Sequence, residues 1–180
     1  MFVKVCGITS IEQIDWAAEL GYSAMGVVLH PGSPRYRDFN RASELAAYAR
    51  GRLISIAVGA SFDEVAPCRD DFDFAQVYEA CCGERLIYAG KLPPPGPDRP
   101  LFLYDASRGS GRPAPLPHWL HDLRERLIIS GGLVPATVGA VIREYRPFGV
   151  DVSSGVEAQR GVKDYGLMME FMKEVRHAAG

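Results

Sequence analysis

Residues 127–157 read LIISGGLVPATVGAVIREYRPFGVDVSSGVE. An apolar, β-rich run, Leu127-Ile128-Ile129, ends in Ser130-Gly131-Gly132. A helical stretch from Pro135 to Tyr145 follows, and then a second apolar run, Phe148-Gly149-Val150-Asp151-Val152, ends in Ser153-Ser154-Gly155. Two strand C-termini one βα unit apart therefore open into Gly/Ser turns. Such turns expose backbone N–H groups, and a helix N-terminus behind them adds partial positive charge. Either turn alone reads as an ordinary tight turn, but the pair at this spacing matches the loops after strands 7 and 8 of a (β/α)8 barrel, the usual phosphate site of that fold. Asp151 adds weight, because a carboxylate inside an apolar strand is costly to bury without a partner.

The rest of the chain alternates in the same way. Continuous apolar runs place strands at Phe2–Cys6, Ala24–Leu29, Leu53–Val58, Phe74–Tyr78, Arg85–Gly90, Leu101–Tyr104, Leu127–Ile129 and Gly149–Val152. Runs of that kind suit parallel strands covered on both faces. Helical spacing predicts helices at Ile11–Leu20, Arg41–Ala49, Phe62–Arg69, Leu116–Arg124, Pro135–Tyr145 and Lys163–His177. Eight strands alternating with helices predict an α/β chain that forms a single (β/α)8 TIM barrel domain over residues 1–180. A typical barrel needs about 250 residues, so 180 is short. The shortfall falls on helices 4 and 5, which are expected to be reduced or missing. Only Ala80–Glu84 separates the fourth and fifth strands, and the fifth and sixth are joined by KLPPPGPDRP at 91–100, which cannot be a helix. A flavodoxin-like sheet of fewer strands ranks second.

Bulk composition excludes several classes. With 47% hydrophobic residues, 23% charged residues and a formal charge of −2, the chain can bury a sizeable core and carries no basic footprint for nucleic acid. No apolar run reaches membrane-spanning length, and Met1-Phe2-Val3-Lys4-Val5 lacks the apolar stretch of a signal peptide. Cys6, Cys68, Cys81 and Cys82 form no CxxC pair, which suits reduced cysteines in a cytoplasmic protein. No His/Cys/Asp cluster has metal-ligand spacing. Reduced helix cover would leave an apolar flank that favours association, so a monomer and a homodimer are both compatible with the sequence.

In a barrel the chemistry sits at the C-terminal strand ends. Those ends carry Cys6 before Gly7, Arg35 in the loop His30-Pro31-Gly32-Ser33-Pro34-Arg35-Tyr36, Asp105 after Leu103-Tyr104, and Asp151. Cys6 reads either as a small buried hydrophobe or, at a strand end near a cation, as a thiolate nucleophile or base. Asp105 reads as a cap or as a partly desolvated proton donor. Arg35 reads as a surface residue or as a two-pronged clamp on a carboxylate or phosphate.

Together KVCGIT at 4–9, GVVLHPGSPRY at 26–36, LYDA at 103–106, SGGL at 130–133, and DVSSGVE at 151–157 followed by GVKD at 161–164 resemble the phosphoribosylanthranilate isomerase family over nearly the whole chain. The resemblance implies an Amadori rearrangement in tryptophan biosynthesis, with no metal or cofactor and a phosphorylated small molecule as partner. It places the acid that protonates the ribose ring oxygen at Asp105 and the base that takes the C2 proton at Cys6. Arg35 and Asp151 then lie near the substrate, and the backbone of Gly131, Gly132, Ser154 and Gly155 holds its phosphate. The chain departs from the family pattern in two loops: Gln76-Val77-Tyr78-Glu79 stands where QLHG is usual, and the loop after strand 6, Ser107 to Trp119, is rich in proline rather than glycine. Two other readings stay open, a catalytically weak relative that binds a phosphorylated ligand and an isomerase of another aminated ribose phosphate.

Overall fold

The computed structural model describes residues 1–79, 83–93, 101–105 and 115–180. The chain begins β1 (Phe2–Cys6), α1 (Ile11–Leu20), β2 (Ala24–Val28), α2 (Phe39–Ala49), β3 (Ile54–Val58) and α3 (Phe62–Val65), which runs on into a 3-10 segment, Ala66–Asp71. Then come β4 (Phe74–Val77), β5 (Leu86–Gly90), β6 (Leu101–Tyr104), a 3-10 helix at His118–Arg126, β7 (Leu127–Ile129), α4 (Pro135–Tyr145) and β8 (Gly149–Val152). After a 3-10 turn at Ser154–Val156, β9 (Glu157–Gln159) and β10 (Val162–Lys163) form an antiparallel ribbon, and α5 (Tyr165–Ala179) ends the chain.

Strands β1 to β8 pair in chain order, all parallel, and β8 returns to β1 to close the barrel. The expected (β/α)8 architecture is thus the observed one. Closure brings the two ends of the chain side by side, with Lys4 opposite Asp151 and Val5 opposite Val152.

Strand alternation divides the side chains into two shells. Val3, Val5, Met25, Val27, Ala57, Ala75, Val77, Phe102, Ile129 and Val150 point outward and pack beneath the helices, where Ile14, Ala17, Leu45, Ile142, Phe171 and Met172 cover them. Cys6, Ala24, Val28, Ile56, Val58, Ile87, Ala89, Leu103 and Ile128 form a separate interior cluster. The same period of two that buries Val3 and Val5 against helices therefore sends Lys4 and Cys6 to the inside.

Local signals explain the helix limits. Ser10 caps α1 by accepting from the Gln13 N–H at 3.4 Å, and Gly21 ends it in the left-handed conformation. Asp164 caps α5 by accepting from the Leu167 N–H at 2.8 Å. That cap, together with the β9–β10 ribbon, makes α5 start at Tyr165 rather than at the expected Lys163. The predicted helix Phe62–Arg69 stops being α after Val65, with Pro67 in the segment that follows.

The expected α-helix at Leu116–Arg124 is instead the 3-10 helix His118–Arg126. Its two buried anchors, Leu120 and Leu123, are three residues apart, and a 3-10 helix stacks i and i+3 on one face. Of residues 78–85 between β4 and β5, the described ones hold no helix, as expected for a reduced helix 4. Most of KLPPPGPDRP, most of the loop after β6, Cys81 and Cys82 lie outside the described residues. Among the described residues, no helix is long and apolar enough to cross a membrane.

Candidate active site

The C-terminal strand ends surround a cavity of about 680 Å³. Seven of the eight expected site residues line it: Cys6, Arg35, Asp105, Gly131, Gly132, Asp151 and Ser154. The eighth, Gly155, lies where the two phosphate-type turns touch. A Cβ there would overlap the Leu133 carbonyl oxygen, so only glycine lets the β8 turn close against the β7 turn. Gly131 and Gly132 both have positive φ, 92° and 75°, a conformation that side chains disfavour. The two turns, Ser130 to Leu133 and Ser153-Ser154, form one wall of the cavity, and exposed backbone N–H groups of such turns suit an anion.

Asp151 has the partners its burial demands. It is 4% exposed; Lys4 Nζ donates to its Oδ1 and Ser130 Oγ to its Oδ2, each at 2.8 Å. Burial pulls the Lys4 ammonium down, but the Asp151 charge and then Cys6 overcome it, so Lys4 is held above its ordinary value. Cys6 lies at the end of β1 beside the same ammonium. A Cβ on Gly26 would come within 3.1 Å of Cys6 Sγ and 3.2 Å of Lys4 Nζ, so the absent side chain at Gly26 makes room for both. The charges of Arg35 and Lys163 are also coupled to Cys6. Ser153 Oγ donates to the Cys6 carbonyl at 2.9 Å, which ties the β8 turn to the thiol's own backbone.

Arg35 is 7% exposed, and its Nε and Nη2 each donate to Glu157 at 2.7 Å. The two-pronged contact expected of Arg35 is therefore engaged within the protein, while the residue still lines the cavity. Lys163 Nζ donates to the same carboxylate at 2.8 Å. Burial works against the Glu157 charge, but Arg35 and Lys163 outweigh it and bring the carboxyl down to about 2. Burial is also what lowers Lys163.

The Glu157 cluster makes a signed prediction. An unfolded glutamate titrates near pH 4.3, above the folded value of about 2. The stabilisation is then complete above the unfolded value and lost as the pH falls through the folded one. In thermal melts from about pH 7 down to about pH 3, wild type should lose its advantage over Glu157→Gln as the solution is acidified. An advantage that stays constant over that range contradicts the assignment.

Asp105 follows β6, is 3% exposed, and donates its backbone N–H to the Gly90 carbonyl at 3.1 Å. The Tyr78 hydroxyl donates to its Oδ2 at 2.7 Å. Gln76, on β4, also lines the cavity, and its buried Oε1 has no hydrogen-bond partner among the described residues. Lys4, Gln76, Tyr78, Glu157 and Lys163 were not singled out as candidate site residues from sequence. Lys4 carried a usable signal, a lone charge in an apolar strand like that of Asp151. Among the described residues, no group of three His, Cys, Asp or Glu could hold a metal ion.

A closed parallel barrel with a thiol, a buried carboxyl and a double glycine turn around one mouth defines a TIM-barrel protein with its side-chain chemistry gathered at the C-terminal strand ends. Residues 102–174 match the family model for N-(5'-phosphoribosyl)anthranilate isomerase. An isomerase of that name from Ralstonia nicotianae is 36% identical, with 98% of this chain and 93% of the relative aligned. The chain therefore belongs to the N-(5'-phosphoribosyl)anthranilate isomerase family. The crystal structure of the Thermus thermophilus phosphoribosyl anthranilate isomerase superposes with a TM-score of 0.81 at 28% identity, covering 98% of this chain and 99% of that one. A phosphoribosyl anthranilate isomerase solved in complex with reduced 1-(o-carboxyphenylamino)-1-deoxyribulose 5-phosphate superposes with a TM-score of 0.76 at 26% identity, covering 98% and 99%.

Proposed function

We propose that this chain isomerises N-(5'-phosphoribosyl)anthranilate to 1-(2-carboxyphenylamino)-1-deoxyribulose 5-phosphate, a step of tryptophan biosynthesis, by general acid/base catalysis. The observation that carries the reading is that Cys6, Asp105 and the two glycine turns all open into one cavity of a chain belonging to this family.

The phosphate sits on the backbone of Gly131, Gly132, Ser154 and Gly155, which leaves the ribose over the centre of the barrel. Protonated Asp105 gives its proton to the furanose ring oxygen. The C1–O bond breaks as the anilino nitrogen lone pair forms the C1=N bond of a protonated Schiff base. The Cys6 thiolate then takes the proton from C2, and that electron pair forms the C1=C2 bond of an enolamine. The enolamine then tautomerises: its C2 hydroxyl gives a proton to the Asp105 carboxylate and C1 takes one from the Cys6 thiol, which yields the ketone and restores both groups, so no atom is gained or lost overall. Arg35 lies beside the aryl portion and Asp151 beside the sugar, while Gln76 Oε1 accepts from a ribose hydroxyl, giving the buried acceptor the donor it lacks.

The test is turnover of N-(5'-phosphoribosyl)anthranilate generated in situ and followed by loss of its anthranilate-type fluorescence. Wild-type protein should give steady turnover without added metal or cofactor. No turnover, with the reduced product analogue still raising the melting temperature, would replace this reading with that of a binding protein or an isomerase of another amine.

A further inference from the structure

A guanidinium carries five N–H donors, and Glu157 takes only two of those on Arg35. Arg35 Nε and Nη2 donate side-on to the two Glu157 oxygens at 2.7 Å each. That leaves the end of the fork, Nη1 and the second hydrogen of Nη2. Among the described residues no acceptor meets Nη1, and Nη1 is not one of the sealed polar atoms. Arg35 lines the cavity, so the open end of the fork faces it. The rest of the residue is fixed as well. Its backbone N–H donates to Ser33 Oγ at 3.1 Å, and a Cβ on Gly7 would collide with Arg35 Cδ. Lys163 fixes the carboxylate in turn: its Nζ donates to Glu157 Oε1 at 2.8 Å and to the Ser153 carbonyl at 3.0 Å. Glu157 is thereby tied to the β8 turn.

We infer that Glu157, braced by Lys163, is a positioning residue for Arg35: it grips one edge of the guanidinium so that the other edge is aimed at the anthranilate carboxylate. The inference rests on the proposed reaction, whose substrate brings that planar anion to the wall beside Arg35. Two parallel N–H donors in one plane read a carboxylate best. An arginine whose plane is set beforehand binds it without the cost of ordering a long side chain. Two bonds to the flat Glu157 carboxylate leave that plane little freedom to turn. Charge serves the same task. Alone, Glu157 would cancel Arg35 and weaken its pull on a second anion. Lys163 makes two cations to one carboxylate, so the cluster keeps a net positive charge. Burial opposes the Glu157 charge, but Arg35 and Lys163 hold the carboxyl down at about 2, so it remains an acceptor at neutral pH.

The experiment measures kcat/KM for N-(5'-phosphoribosyl)anthranilate and for N-(5'-phosphoribosyl)aniline, which lacks the carboxyl. Both are read on one preparation, so their ratio does not depend on how much of a variant folds. Wild type should favour the anthranilate substrate. Glu157→Gln should lower the ratio by about tenfold or more, because an amide accepts at one oxygen only and leaves the fork loose. Glu157→Asp keeps the charge that the two buried cations need but is too short to hold both nitrogens, and it should lower the ratio by at least about threefold. Arg35→Lys should lower it at least as far as Glu157→Gln. Adding Glu157→Gln to Arg35→Lys should then change nothing more, since Glu157 acts through the fork. A role in stability alone lowers kcat/KM on both substrates together and leaves the ratio where it was. A second readout needs no turnover: the affinities for the reduced product analogue and for the same compound without its carboxyl. The wild-type preference for the carboxylated analogue should shrink in Glu157→Gln by a similar factor. If wild type turns over and both Glu157 variants keep the ratio within about twofold, the inference is overturned. A wild type with no preference in either readout overturns it as well. If wild type turns over neither substrate but its analogue preference is lost in Glu157→Gln, the assigned reaction fails and the role of Glu157 stands.

Discussion

Cys6→Ser lowers kcat by roughly 10²–10⁴-fold, the range typical of a lost general base, while the folded structure and the affinity for phosphorylated ligands persist. The substitution is nearly isosteric, so the packing of the side chain against Gly26 survives. What changes is the chemistry. A serine hydroxyl holds its proton far more tightly than a thiol and does not become an anion at neutral pH, even with cations nearby. The Cys6 side chain lies beside the Lys4 ammonium, within the charge fields of Arg35 and Lys163, and lines the cavity. A structural cysteine would not need such surroundings. Steady-state kinetics with in-situ substrate checks the prediction, with ligand-induced stabilisation as the control for binding. A Cys6→Ser enzyme within about tenfold of wild type would remove Cys6 from the chemistry.

Lys4→Met is the second large effect. It destabilises the protein by about 3–5 kcal/mol, because it leaves Asp151 as a buried carboxylate without its counter-charge. Lys4 is 0% exposed, and among the described residues Asp151 keeps the Ser130 hydroxyl on its other oxygen. For a chain of this size the expected fall in melting temperature is roughly 6–20 °C. The same pair also staples the barrel shut, since Lys4 and Asp151 are register partners on the strands that close it. Lys4→Met combined with Asp151→Leu should recover most of the loss, because no buried charge is then left alone. A melting temperature within about 2 °C of wild type for Lys4→Met would mean that the pair contributes almost nothing.

The strands were legible because both faces of each are covered, which writes them into the sequence as unbroken apolar runs. The phosphate turns were legible because positive φ at Gly131 and Gly132 and the close approach at Gly155 leave glycine as the natural residue. Asp151 stood out as a carboxylate in an apolar strand, yet its partner went unnamed. Lys4 is 147 residues away in the chain, and the two meet only after barrel closure. A reader who had already assumed a barrel could have paired them, since its first and last strands must touch. The Glu157 cluster was hidden for a related reason: Arg35 belongs to the loop after β2 and Glu157 to the ribbon after β8, and nothing local joins them. The 3-10 helix was misread because two apolar anchors, Leu120 and Leu123, fit either helical period at that spacing. Tyr78 was visible only as a departure from the family pattern, and its contact with Asp105 depends on the placement of two separate strand ends.

The most direct test of the account is kcat for Asp105→Asn beside wild type at the same pH, with affinity for the reduced product analogue measured on both. The exchange keeps the shape of the side chain and removes the proton that opens the ribose ring. The account predicts analogue binding close to that of wild type and a kcat lowered by roughly 10²-fold or more. Turnover within about tenfold of wild type, with binding unchanged, would contradict it.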